Sequence, residues 1–143
     1  LKSELQSLMS AHEVIWQINP HVALLGNHHE LRSAFANLLT NALRYTKPFG
    51  KITVRVDWDP DGQALFEVTD TGVGIELQHI SRLTERFYRV DKGRSRKSGG
   101  TGLGLAIVKH VLMRHDAVLE IESVFGVGST FRCRFPRARS LRL

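Results

Sequence analysis

Asn37 and Asn41 lie four residues apart, and Arg44 and Tyr45 follow within another turn. On a helix this spacing stacks the side chains along one stripe, so two amides, a cation and an aromatic ring converge. Amide oxygens are hard, neutral ligands suited to Mg²⁺, a cation that keeps several waters and reaches protein through a few oxygens plus substrate phosphates. Arg44 could then pair with phosphate and Tyr45 lie against a base. Taken alone, the four residues also suit a solvated helix edge.

Three glycine-bearing segments follow. Asp70-Thr71-Gly72-Val73-Gly74-Ile75 comes directly after strand-like sequence. It puts a carboxylate at a strand end beside two glycines that let backbone approach a ligand closely. Such a carboxylate could accept a hydrogen bond from the exocyclic amine of adenine; an ordinary turn fits the hexapeptide equally well. Gly99-Gly100-Thr101-Gly102-Leu103-Gly104-Leu105 opens a helix, whose free N–H groups and positive dipole end attract phosphate. No Gly-Lys-Ser/Thr follows as a P-loop requires, and no third glycine or βαβ context supports a dinucleotide fingerprint. Gly126-Val127-Gly128-Ser129-Thr130 is the weakest of the three and could be a plain hairpin turn.

The elements that must carry these residues can be read from periodicity. Leu1, Leu5, Leu8 and Met9 suggest a short helix, His12 to Ile18 a strand, and Val22 to Leu25 another. Asn27 and Glu30 have capping-box spacing, so a helix should begin near His28. Leu31, Ala34, Phe35, Leu38, Ala42 and Tyr45 form its apolar face, and Lys47-Pro48-Phe49-Gly50 ends it. Residues 51–69 read as a β-hairpin around Asp59-Pro60-Asp61-Gly62. Leu77, Ile80, Leu83 and Phe87 suggest a helix, Thr101 to Arg114 a third main one, and Val118 to Glu122 and Ser129 to Phe135 two strands. The pattern predicts an α+β fold, a two-layer α/β sandwich with a mostly antiparallel sheet and three main helices on one face.

At 143 residues the chain fits one domain, residues 1–143, and its 42% apolar and 24% charged composition excludes a disordered tail or linker. A formal net charge of +6 favours an anionic partner without choosing among nucleotide, nucleic acid, acidic protein and lipid. The single cysteine, Cys133, excludes an internal disulfide framework and a multi-cysteine zinc cage, and fits a reducing compartment. No apolar run is long enough to span a bilayer, so these residues read as soluble, and a start without Met leaves room for a longer, membrane-anchored parent.

Taken together, the asparagine pair, Asp-x-Gly-x-Gly, Gly-x-Gly-x-Gly and Gly-x-Gly-x-Thr, in that order at separations of roughly 30 residues, resemble the ATP-binding catalytic domain of sensor histidine kinases. The wider superfamily includes gyrase, Hsp90 and MutL, and shares the Bergerat ATP-binding fold. Glu85-Arg86-Phe87-Tyr88-Arg89-Val90-Asp91 is similar to the phenylalanine box of the kinases. Leu31-Arg32-Ser33-Ala34, residues 82–92 and Ala106-Ile107-Val108-Lys109-His110 look most like phosphate-regulon sensor kinases.

The resemblance implies roles by position. Asn41 would ligate Mg²⁺, with Asn37 supporting the metal and phosphates; Arg44 would stand near the phosphates and Tyr45 pack on adenine. Asp70 would read the adenine amine in a pocket shaped by Gly72 and Gly74, and Thr130 would approach the base. Gly100, Thr101, Gly102, Leu103, Gly104 and Leu105 would wrap the triphosphate. Residues 89–99 would form the ATP lid, beginning at Arg89, with Arg96 or Lys97 reaching the γ-phosphate. The implied activity is that of an ATP:protein-L-histidine phosphotransferase using ATP and Mg²⁺.

The acceptor is expected elsewhere. His29-Glu30-Leu31-Arg32 is similar to the start of the family's phosphoacceptor helix, yet Ser33-Ala34 replaces Thr-Pro and Asn37 follows on the same helix. The capping reading of this tetrapeptide is preferred. The resemblance therefore implies a catalytic domain without its dimerisation and phosphoacceptor hairpin or sensor regions, monomeric and inefficient at autophosphorylation. The parent would be a homodimer in a bacterial inner membrane with this domain on the cytoplasmic side, acting on a response regulator. A stand-alone ATPase or serine kinase of the superfamily is the rival enzyme reading, opposed by the phenylalanine box. A nucleic-acid-binding module would rest on Arg132, Arg134, Arg137, Arg139 and Arg142; a solvated terminus is the preferred reading of these, and no direct nucleic-acid partner is expected.

Overall fold

The computed structural model describes residues 11–88 and 103–143. The helix expected from Leu1 to Met9 lies outside them. Strands β1 (Glu13–Ile18), β3 (Lys51–Trp58), β4 (Ala64–Asp70), β5 (Val118–Val124) and β6 (Gly128–Arg134) form one sheet in the order β1-β3-β4-β6-β5. Only the β1–β3 pair in it is parallel. Helix α1 (His28–Tyr45) and helix α3 (Gly104–Arg114) cover one face, and β2 (Val22–Leu24) pairs with β7 (Ser140–Arg142) as a separate ribbon. The expected α+β sandwich with a mostly antiparallel sheet is the fold observed.

Side-chain alternation sorts the sheet into rows. Val54, Val68, Phe131 and Ile121 are successive cross-strand partners, as are Val56, Phe66, Cys133 and Leu119. These rows meet Leu31, Ala34, Leu38 and Ala42 of α1 and Val108 and Leu112 of α3 in one core. Phe35 stacks on Phe66 at 3.9 Å between ring centres. A parallel row at the sheet end, Ile52, Asp70, Ser129 and Ser123, turns polar on the same helix-facing side.

The start of α1 departs from a reciprocal capping box. Asn27 Oδ1 accepts the Glu30 N–H at 3.0 Å as expected, while the Glu30 carboxylate pairs with Arg114. The Asn27 N–H instead donates to Nε2 of buried His115 at 3.0 Å. Since Nε2 accepts, Nδ1 must carry the proton given to the Val111 carbonyl at 2.8 Å. One neutral imidazole thus joins the end of α3 to the start of α1.

Two sequence expectations need correction. The helix expected to run to Phe87 is only α2 (Leu77–Ile80). Beyond it the chain makes four-residue turns, Glu85 N–H to Arg82 O and Tyr88 N–H to Glu85 O, and Phe87 takes a φ of 66° that no α-helix continues through. Two long helices and one short one are therefore present among the described residues. The C-terminus, expected to be solvated, folds back through a 3₁₀ turn at Arg137–Arg139 into β7. Its arginines are partnered. Arg132 bonds Glu67 at 2.6 Å and Glu122 at 3.3 Å, and Arg134 pairs with Asp59 and with Glu120. Arg137 donates to the Asp61 carbonyl, Arg139 to the Leu25 carbonyl, and Arg142 lies over the Trp58 ring. Each arginine of the stripe that suggested nucleic acid thus has a partner among the protein's own carboxylates, carbonyls and an indole. No helix among the described residues is long and apolar enough to cross a membrane.

Candidate functional site

At one end of the sheet, α1, the loop after β4 and the β5–β6 hairpin come together by backbone contact. Val73 N–H donates to the Tyr45 carbonyl at 3.2 Å and Gly126 N–H to the Val73 carbonyl at 2.7 Å. Glycine is required where these backbones meet. A Cβ on Gly72 would lie 2.3 Å from the Tyr45 carbonyl oxygen. On Gly74, whose φ of 72° also disfavours other residues, it would lie 2.2 Å from the Val124 carbonyl oxygen.

Asp70 ends β4 inside this knot and is only 6% exposed. Its Oδ1 accepts the N–H groups of Gly72 at 2.9 Å and Ser129 at 3.2 Å. Burial raises its carboxyl above the ordinary value, and those two N–H bonds pull the other way without cancelling the effect. With one oxygen held by backbone, the other is left to recognise a donor.

Thr130 is misplaced in the sequence reading. It follows Ser129 along β6, so it points to the sheet face away from the helices, where its hydroxyl meets that of Thr69 at 3.1 Å. Ser129, 6% exposed, occupies the Asp70 side. The missed signal was parity: Ser129, Phe131 and Cys133 share the core face, and a residue beside Asp70 has to belong to that set. Ser123, the β5 partner of Ser129, was missed as well.

The asparagine stripe sits opposite the start of α3. Asn37 Nδ2 donates to the Ser33 carbonyl at 2.9 Å, one turn back along α1. The Asn37 side-chain oxygen faces Gly104, where an added Cβ would lie 3.0 Å from it. Asn41 is half-buried one turn on, followed by exposed Arg44 and half-buried Tyr45. Leu103 and Leu105 flank Gly104 and are half-buried. Arg89, Arg96, Lys97, Gly100, Thr101 and Gly102 lie outside the described residues. The structure thus gathers Asp70, Gly72, Gly74 and Tyr45 in one place, and Asn37 with Gly104 in another along the same helix.

Amide oxygens and a helix N-terminus suit a cation that arrives with phosphates. No group of three or more His, Cys, Asp or Glu among the described residues could hold a metal by itself.

A family model described as histidine kinase-, DNA gyrase B-, and HSP90-like ATPase matches residues 26–139. The chain is 50% identical over 141 residues to the phosphate regulon sensor protein PhoR of Pseudomonas aeruginosa, covering 97% of this chain and 32% of that protein. It is 45% identical over 128 residues to the PhoR of Haemophilus influenzae, covering 88% and 29%. It thus spans about a third of the length of these relatives. The mycobacterial sensor histidine kinase MprB superposes with a TM-score of 0.83 at 27% identity, over 99% of this chain and 90% of that one. With a matching fold, a matching family model and relatives of this identity, the chain belongs to the histidine kinase-, DNA gyrase B- and HSP90-like ATPases.

Proposed function

We propose that the chain is the catalytic, ATP-binding unit of a two-component sensor kinase of the phosphate-regulon type, donating the γ-phosphoryl of Mg²⁺-ATP to a histidine on a separate dimerisation domain. The observation that carries the nucleotide reading is Asp70: a buried carboxylate with one oxygen fixed by two backbone N–H groups and the other available to the adenine amine. Half identity along nearly the whole chain to a phosphate regulon sensor supports the subgroup.

In this reading Asp70 fixes the base and Tyr45 packs beside it. Asn41, with Asn37 one turn earlier, offers amide oxygen to the cation, and the place of the Asn37 oxygen beside Gly104 supports that use. Bound Mg²⁺ neutralises phosphate charge. α3 opens at Gly104 beside Asn37, where a helix N-terminus suits phosphate, and the resemblance assigns Gly100, Thr101, Gly102, Leu103, Gly104 and Leu105 to the triphosphate. By the same resemblance Arg89, Arg96 and Lys97 are the cations assigned to the phosphates. Catalysis of phosphoryl transfer is then largely positioning and charge stabilisation.

In this reading the acceptor histidine belongs to a different domain: His29 stands in the first turn of α1, whose next turns carry the asparagines, which favours the capping reading of His29-Glu30-Leu31-Arg32. The parent kinase would be an inner-membrane homodimer that passes the phosphoryl group to a response regulator. Labelled γ-phosphate should not appear on this chain alone, and should appear on a phosphate-sensor dimerisation domain added in trans. Efficient labelling of the isolated chain, abolished by Asp70→Asn, would overturn the separation of donor and acceptor.

A further inference from the structure

Ser123 connects the adenine-side loop to the hairpin that holds Asp70. Its Oγ accepts the Ile75 N–H at 2.7 Å, donates to the Gly128 carbonyl at 3.1 Å, and lies 2.8 Å from Ser129 Oγ. A hydroxyl has one hydrogen and two lone pairs. With its hydrogen on Gly128, Ser123 accepts from both Ile75 and Ser129, and all its bonding capacity is used. Ile75 closes the loop that supplies the Gly72 N–H, and Ser129 supplies the second N–H on Asp70. The two donors that orient the carboxylate therefore come from segments joined through one side chain on the neighbouring strand.

We propose that Ser123 is a positioning residue for base recognition: it sets the Asp70 carboxylate by holding the loop at Ile75 and the hairpin at Gly128 and Ser129 in register. The proposal rests on the reading of Asp70 as the adenine-contacting group. The backbones of residues 72–75 and 124–128 meet through the Gly126 N–H bond to the Val73 carbonyl and the close approach at Gly74, and Ser123 adds the side-chain bonds that fix their register. Without the Ser123 hydroxyl, the Ile75 N–H loses its acceptor and the loop can slide on the hairpin. The Gly72 bond to Asp70 lengthens, and the free carboxylate oxygen turns away from the base.

Calorimetric titration with Mg²⁺-ATP and Mg²⁺-GTP should compare the unaltered chain with Ser123→Ala, Asp70→Asn and the double variant. Loss of one neutral hydrogen bond should weaken ATP binding by about three- to tenfold in Ser123→Ala. GTP binding should hardly change, and the double variant should bind ATP no more weakly than Asp70→Asn. Should Ser123→Ala not fold, Ser123→Cys keeps the volume without a strong hydroxyl and gives the same comparison. Equal loss for both nucleotides, no loss for either, or losses that add in the double variant would each overturn the positioning role. A selective Asp70→Asn with an unselective Ser123→Ala removes this proposal alone; an unselective Asp70→Asn removes the reading of Asp70 and this proposal with it.

Discussion

Replacing Asp70 with Asn should move stability and nucleotide affinity in opposite directions. The amide oxygen of Asn can keep the N–H bonds of Gly72 and Ser129, since both converge on Oδ1. What it removes is a buried negative charge without a cationic partner among its bonded neighbours. The native carboxyl titrates above its unfolded value because burial disfavours the ion. The native state therefore holds its proton more tightly, and the unaltered domain loses stability as pH rises through the ordinary carboxylate value near about 4 and on to the raised one. Asn does not titrate, so the variant should melt no lower than the parent at neutral pH. Its advantage should vanish below about pH 4. Binding should suffer instead: a charge-assisted hydrogen bond is worth about 1.5–3 kcal/mol, so ATP affinity should fall about 10- to 150-fold. Melting curves from about pH 3 to pH 8, paired with titration of ATP, read both effects. A variant that melts well below the parent at pH 7, or binds ATP as tightly, would refute the reasoning.

Three other changes probe separate parts of the account. His115→Ala leaves the buried Val111 carbonyl and the part-buried Asn27 N–H without their partner, and should cost about 1–3 kcal/mol in urea unfolding; a variant of parental stability would remove the helix-joining role of this imidazole. Burial pushes the Cys133 thiol up to about 12, so alkylating reagents at pH 8 should modify it only at the rate of unfolding; rapid labelling of the native chain would contradict that burial. Thr130→Val should leave ATP affinity within about twofold, because its hydroxyl meets Thr69 on the far face; a tenfold loss measured by the same titration would return Thr130 to the base.

Much of this arrangement is legible from residue order. Strict alternation in Ile52, Val54 and Val56 gives β3, and the apolar steps from Leu31 to Ala42 give α1, because each element buries one periodic face. Asp70 and its glycines, which alone fit an ordinary turn equally well, are recognisable through their order and spacing with the asparagine pair and the two later glycine segments. The rest depends on partners distant in sequence. The choice of Ser129 over Thr130 follows from strand parity, which a Gly-x-Gly-x-Thr pattern does not encode. Ser123 becomes visible only when β5 pairs with β6, and His115 only when α3 packs against the start of α1. Arg132 and Arg134 read as a basic tail in order, and as ion-paired sheet residues once Glu67, Glu120 and Asp59 lie beside them. Phe87 misleads for a local reason: helical spacing places it with Leu83, but its left-handed backbone leaves the ring 66% exposed.

The central claim is that this chain binds ATP through Asp70 with Mg²⁺ at the asparagine stripe. Calorimetric titration with ATP and GTP, each with and without Mg²⁺, tests it most directly. Expected is saturable ATP binding that tightens with Mg²⁺, with GTP at least about tenfold weaker, since guanine presents an oxygen where adenine presents its amine. Equal affinity for the two nucleotides, or no binding of either in the presence of Mg²⁺, would contradict it.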